Sequence, residues 1–329
     1  MKNIALIFPG QGAQKVGMGL EFYQSSSQAK SIFEQADKIC ANGLTKVMFE
    51  GPEEKLTSTA YCQPAILTMS VAALKAFEAH KKYKEFSVKF TAGLSLGEYS
   101  ALAASGAMNF ADTLRLVQKR AAFMEEATKE NQGAMAAVIG FDKDKLVEIC
   151  RQTGAQIANF NSHEQIVITG HKFKVDAAVE AIRLAGGQKI IPLAVSGAFH
   201  SSLMSSAASK FAVSLKDITI NPPVFCHSRF FHCHSRESGN PVQSTIPVLS
   251  NVTGQPHINA ESIRVNLAKQ ITDSVQWVKC VEYIVSQGIT DFIEIGPGKV
   301  LKGLIRRINP AINVFNIEKP QDIEVLELS

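Results

Sequence analysis

The stretch FTAGLSLGEYSALAASGAM, Phe90 to Met108, decides the fold. Ser87 to Ala92 reads as the end of a buried strand, and Glu98 onward has the Ala/Leu-rich composition of a helix packed on a sheet. Between them lies Gly93-Leu94-Ser95-Leu96-Gly97, a G-x-S-x-G motif in the strand–turn–helix setting of a nucleophile elbow. A serine on so sharp a turn needs neighbours without side-chain bulk, and glycines stand two residues to either side. The free N–H groups of the following helix would face an oxyanion formed at that serine.

Working outward, the 329 residues are enough for one large α/β unit with a smaller one. Hydrophobic residues make up 46% and charged residues 19%, an ordinary globular balance, and the net charge of +4 gives no reason to expect nucleic acid. The apolar run at the N-terminus, Ile4 to Phe8, is too short for a signal core, and no run approaches the ~18 residues of a membrane span. Six cysteines without repeating spacing indicate reduced thiols and a cytoplasmic protein.

Ile4 to Phe8 reads as a strand, and Pro9 to Gln14 as a tight loop leaving its carboxyl end, where open α/β sheets bind ligands. Gln11 on that loop is an amide donor suited to an oxyanion hole. Segments 20–40, 63–82 and 110–128 have helical spacing. From Gly133 to Val195 the pattern becomes β-α-β-β-α-β, the split-βαβ arrangement, as if a small domain were inserted into the larger one. The expected division is 1–128 with 199–329 for the large domain and 129–198 for the small one. At its exit, Val195 to Ser201 carries the chain through a glycine turn to His200, the best-placed base for Ser95. Further on, 248–252 and 291–295 read as strands, 261–272, 275–287 and 300–308 as helices, and the last ten residues as a tail.

Residues 225–245, FCHSRFFHCHSRESGNPVQST, fit nothing around them. A metal reading would use Cys226, His227, His232, Cys233 and His234, but their adjacent pairing is wrong for tetrahedral zinc. An exposed surface insertion is expected there, and no metal.

In the right order the chain carries FPGQGAQ (8–14), GLSLGEYSALAASG (93–106), QKRAAFM (118–124), NFNS (159–162), SGAFHS (196–201), VQW (275–277) and IEIGPGKVLKGLIRRI (293–308). With these motifs it resembles the malonyl-CoA:acyl-carrier-protein transacylase family and the acyltransferase domains of polyketide synthases. The resemblance implies an α/β-hydrolase-like large domain with an inserted ferredoxin-like small domain. It further implies malonyl transfer from malonyl-CoA to the phosphopantetheine thiol of holo acyl-carrier protein in fatty-acid synthesis, through a malonyl-serine, with no metal or redox cofactor. By position, Ser95 matches the nucleophile, His200 the base, Gln11 and the Leu96 N–H the oxyanion hole, and Arg120 the group that binds the malonyl carboxylate. Gln276 falls where a main-chain carbonyl orients the histidine, and Phe199 matches a residue selective for unsubstituted malonate. A monomer is expected, with neither nucleic acid nor membrane as partner. The alternatives are a polyketide-pathway acyltransferase and a serine thioesterase or hydrolase. Leu94 departs from the family pattern, which usually has His before the nucleophile, and the 225–245 stretch has no counterpart in it.

Overall fold

The computed structural model describes residues 1–195, 197–221 and 246–326. The expected insertion at 225–245, with its candidate metal ligands, lies outside these residues. Two four-stranded sheets organise the chain. The first has the order β2-β1-β7-β8, formed by Lys2–Phe8 (β1), Phe86–Gly93 (β2), Asp291–Ile295 (β7) and Asn313–Ile317 (β8), with every pairing parallel. The inner strand β1 reads IALIF because helices cover both faces of the sheet, and Ile4 to Phe8 are all buried. Helix Thr59–Ala79, whose Gln63 to Leu74 are buried without a break, packs against helix Phe110–Glu130 in the main core.

The second sheet contains Gly133–Ile139 (β3), Gln156–Phe160 (β4), Gln165–His171 (β5) and Lys189–Pro192 (β6) in the order β4-β5-β3-β6, all antiparallel. Helices Lys143–Thr153 and Lys172–Leu184 complete the β-α-β-β-α-β order read from the sequence. A third hydrophobic cluster, with Leu146, Ile168 and Ile182 fully buried, gives this lobe its own core. The lobes are stitched together where β4 meets Val275. The Phe160 N–H donates to the Val275 carbonyl at 2.9 Å, and the Val275 N–H to the Ala158 carbonyl at 2.8 Å.

Three expectations need correction. The strand expected at 248–252 shrinks to bridges at Val248 and Leu249, because Ser250 turns the chain and accepts the Gly254 N–H. Strand β8 falls on a segment to which no strand was assigned. The last ten residues do not begin as a free tail: Pro320–Glu324 is helical, and Ile323 and Leu326 are buried against the main core.

Candidate active site

Strands β1, β2 and β7 deliver their carboxyl ends side by side, and the candidate site is built on those ends. Ser95 sits between β2 and helix Gly97–Ala104 with φ at 50°, in the left-handed region that a side chain rarely occupies. Steric contact explains both glycines of the motif. A Cβ on Gly93 would come within 2.0 Å of the Gly97 backbone, and one on Gly97 within 2.1 Å of the Phe8 carbonyl oxygen. The turn is therefore wedged between its own helix and the end of β1, which holds Ser95 in its strained conformation.

His200, the other site residue with positive φ (56°), places Nε2 2.8 Å from the Ser95 hydroxyl oxygen. Its Nδ1 lies 2.7 Å from the Gln270 main-chain carbonyl. A carbonyl only accepts, so Nδ1 carries the hydrogen and Nε2 presents its lone pair to the serine O–H. Burial and the neighbouring Arg120 cation push the ring down to about 4, against the opposing pull of that carbonyl.

The carbonyl orienting His200 thus belongs to Gln270 and not to Gln276, which corrects the expectation from sequence. Gln270 ends helix Ala260–Gln270, where carbonyls have no intrahelical donor. Gln276 caps the start of helix Trp277–Ser286, and its carbonyl is already taken by the Cys280 N–H at 3.0 Å.

Arg120 is 1% exposed and lies beside the nucleophile. Its Nη2 donates to the Ser95 hydroxyl oxygen at 3.1 Å and to Gln270 Oε1 at 3.2 Å, and its Nη1 donates to Gln63 Oε1 at 2.7 Å. The guanidinium stands 5.3 Å from the centre of the Tyr99 ring, and Nε has no partner. Its partners are therefore amides, a hydroxyl and an aromatic face, none of them a carboxylate. Burial lowers its affinity for its proton, and nearby Tyr99 and Glu98 work against that shift.

Gln11 reaches the site through Gln63, which holds Arg120. Its Oε1 accepts from Gln63 Nε2 at 3.4 Å, which leaves its own amide N–H groups to point elsewhere. Leu96 immediately precedes the elbow helix, so its N–H belongs to the set with no intrahelical acceptor. Phe199 is buried, and its carbonyl accepts from Thr169 Oγ1 of β5 at 2.9 Å. Leu94 packs against the apolar cluster that contains Leu249, Trp277 and Leu301. A cavity of about 770 Å³ runs from Gln11 and Gln14 past Thr59 and Glu125 to Leu193 and Val195, at the junction of the two lobes. A second, of about 380 Å³, reaches His200 between Gln156 and Thr272.

Direct hydrogen bonds bring Ser95, His200 and Arg120 together, and Gln11 reaches them through Gln63. Leu96 and Phe199 adjoin Ser95 and His200 in the chain, and Gln276 lies nearby without the role expected of it. The sequence reading missed Gln63, Glu98, Tyr99, Asn251 and Gln270. Glu98 had one visible signal, a carboxylate at the head of an otherwise apolar helix, GEYSALAA. Among the described residues no cluster of potential metal ligands occurs, and no helix is long and apolar enough to cross a membrane.

A strained elbow serine, a histidine oriented through its far nitrogen, and a parallel sheet supporting both make an arrangement able to activate the serine for acyl transfer. The chain belongs to the acyl transferase domain family, which it matches over residues 5–299. It is 38% identical over 332 residues to the malonyl CoA-acyl carrier protein transacylase of Bacillus subtilis, an alignment covering 99% of this chain and 96% of that protein. The crystal structure of the malonyl CoA-acyl carrier protein transacylase of Clostridium perfringens superposes with a TM-score of 0.86 at 35% identity, covering 98% of this chain and 95% of that one. A malonyl-transacylase solved in complex with its type II PKS acyl-carrier protein superposes with a TM-score of 0.87 at 34% identity, covering 98% of both chains.

Proposed function

We propose that this chain transfers the malonyl group of malonyl-CoA to the phosphopantetheine thiol of holo acyl-carrier protein, as a cytoplasmic, monomeric enzyme of fatty-acid biosynthesis. The observation that carries the reading is Arg120, a buried guanidinium beside the Ser95 hydroxyl with no carboxylate among its partners. A buried cation with no carboxylate in direct contact is costly, and a substrate that brings its own carboxylate to within reach of the reacting carbonyl reduces that cost. Malonyl thioesters have that chemistry, and acetyl thioesters lack it.

In the first half-reaction the Ser95 hydroxyl oxygen attacks the thioester carbonyl carbon while His200 Nε2 takes its proton. The oxyanion is received by the Leu96 N–H and the Gln11 amide. The carbon–sulfur bond then breaks, and CoA leaves as a thiol carrying the proton held by His200. In the second half-reaction the carrier-protein thiol gives its proton to His200 and attacks the malonyl-serine ester, and the proton returns to Ser95 as the new thioester departs. The cavity at the lobe junction is where the long pantetheine arm is read to lie, and Phe199 limits the acyl pocket to unsubstituted malonate. A thioesterase or hydrolase would pass the acyl group to water, and the lack of a carboxylate partner for Arg120 favours a carboxylated acyl group held for transfer.

Intact-protein mass spectrometry after mixing with malonyl-CoA tests the reading. The wild-type protein should gain one malonyl group, discharged by holo acyl-carrier protein, and Ser95→Ala should gain none. Arg120→Ala should lose malonylation on the order of 100-fold while acetylation from acetyl-CoA falls far less. A malonyl adduct on Ser95→Ala, or equal losses for the two donors, would sink it.

A further inference from the structure

Beneath the elbow lies a buried polar network that the mechanism above does not use. Glu98, in the first turn of the elbow helix, is fully buried. One of its oxygens, Oε1, accepts from His257 Nε2 at 2.8 Å, and His257 is itself buried. The other, Oε2, accepts both from the Asn251 N–H at 3.2 Å and from Gln270 Nε2.

Those two partners are the clamps of the active serine. Asn251 takes the Ser95 N–H on Oδ1 at 2.6 Å and donates Nδ2 to the Gly93 carbonyl at 2.7 Å, bracketing the elbow from both sides. Gln270 donates Nε2 to the Ser95 carbonyl at 3.0 Å, accepts Arg120 Nη2 on Oε1, and orients His200 through its main-chain oxygen. Serine, histidine and arginine thus all trace back, within two hydrogen bonds of the side chains concerned or their backbone, to one carboxylate.

The arrangement also settles a problem of charge. A buried anion and a buried cation so close together would ordinarily collapse into a direct ion pair. Here the Gln270 amide stands between them, accepting from Arg120 on one side and donating to Glu98 on the other. Arg120 gains a counter-charge without contact, and its unpartnered Nε edge is left without a carboxylate.

Resting on the malonyl-transfer reading, we propose that Glu98 is a positioning residue for the reaction. It is the fixed counter-charge of Arg120 and, through Gln270 and Asn251, the anchor that keeps Ser95, His200 and Arg120 in register, with His257 holding its second oxygen. Removing the charge while keeping the shape turns one acceptor into an amide donor, which either meets the Asn251 N–H and Gln270 Nε2 donors or forces the His257 ring into its other tautomer.

The test is Glu98→Gln, compared with Glu98→Asp, Gln270→Ala and the double variant Glu98→Gln/Gln270→Ala. Three quantities are read: the rate at which a fluorophosphonate labels Ser95, the ratio of kcat/KM for malonyl-CoA over acetyl-CoA, and the thermal midpoint. Glu98→Gln is expected to slow labelling about tenfold to a hundredfold and to reduce the malonyl preference. Glu98→Asp, which keeps the charge, should recover part of both. In the Gln270→Ala background the Glu98 change should cost little more of the malonyl preference, because its route to Arg120 is already cut, while labelling still responds through Asn251. An unaltered labelling rate and donor ratio, or losses of the donor ratio that simply add in the double variant, would overturn the proposal. A lowered thermal midpoint with both catalytic readouts intact would make Glu98 merely structural and would overturn it equally. If Glu98→Gln does not fold, Glu98→Asp and Gln270→Ala supply the same comparison. Labelling requires only Ser95 and His200, so it decides the role of Glu98 even where wild-type protein takes no malonyl group, a result that would count against the functional reading alone.

Discussion

His200 is uncharged at neutral pH, because burial and Arg120 hold its ring at about 4. A base must be neutral to take the Ser95 proton, so this shift keeps it ready across the physiological range. An unfolded histidine protonates near ~6.5. Between that value and about 4 the unfolded chain binds the extra proton and the folded chain does not. The contribution to stability is therefore fully present above the unfolded value and is lost as pH falls through the window. The rate of malonyl-serine formation should stay level from neutral pH down to about 5 and reach half its plateau near pH 4, with circular dichroism at each pH confirming that the chain is folded. A midpoint at the ordinary histidine value would show that the ring is not held as described. Ser95 was legible from sequence because it follows a buried strand at a glycine turn, and His200 because SGAFHS follows an apolar segment, although β6 itself ends well before it, at Pro192. The carbonyl that orients His200 was not, because Gln270 and Gln276 are both glutamines in one polar run. Only the helix boundaries show that the first has a free carbonyl and the second a used one.

The elbow as an element depends on how closely β1, β2 and the Ser95 helix approach one another. Gly97 is the tightest point against β1: an added methyl would meet the Phe8 carbonyl at 2.1 Å, and that carbonyl also accepts the Leu94 N–H at 3.1 Å. Both atoms are backbone, so no side chain can swing away to relieve the clash. Gly97→Ala should cost 3 kcal/mol or more, at or beyond the upper end of the usual ~1–3 kcal/mol for overpacking. The measurement is the denaturant midpoint at unchanged m-value, and a wild-type midpoint would refute the steric account. The G-x-S-x-G spacing made this element readable in advance, and strong periodicity did the same for the β-α-β-β-α-β lobe. Short segments were harder. Asn313–Ile317 buries only Val314 and Ile317, and its strand character comes from the β7 edge it pairs with, a tertiary cause that leaves little trace in five residues. Residues 248–252 look apolar enough for a strand, yet Asn251 is taken out of the sheet to hold Gly93 and Ser95.

At the scale of the whole molecule His200 belongs to neither lobe alone. It follows Phe199, in a segment threaded between the end of helix Phe110–Glu130 and the small sheet. A methyl on Gly197 would strike Thr128, and one on Gly133 at the start of β3 would strike Ala198. Thr169 Oγ1, on β5 of the small sheet, donates to the Phe199 carbonyl. Both residues are buried, so no water replaces that donor when it is lost. The small lobe thus fixes the backbone one residue before the base, while the large lobe fixes the ring through Gln270. Thr169→Val keeps the shape of the side chain and removes only the donor. It leaves a buried carbonyl unsatisfied, which costs about 1–3 kcal/mol. If that bond transmits the position of the small lobe to His200, the variant should lose several-fold in the rate of serine malonylation as well as in stability. Thr169→Ser, with the hydroxyl restored and the methyl gone, should recover the rate ahead of the stability. Stopped reactions read by mass spectrometry, alongside thermal unfolding of the same samples, separate the two effects. A Thr169→Val protein that is less stable yet acylates at the wild-type rate would show that the small lobe shelters the site without aligning it.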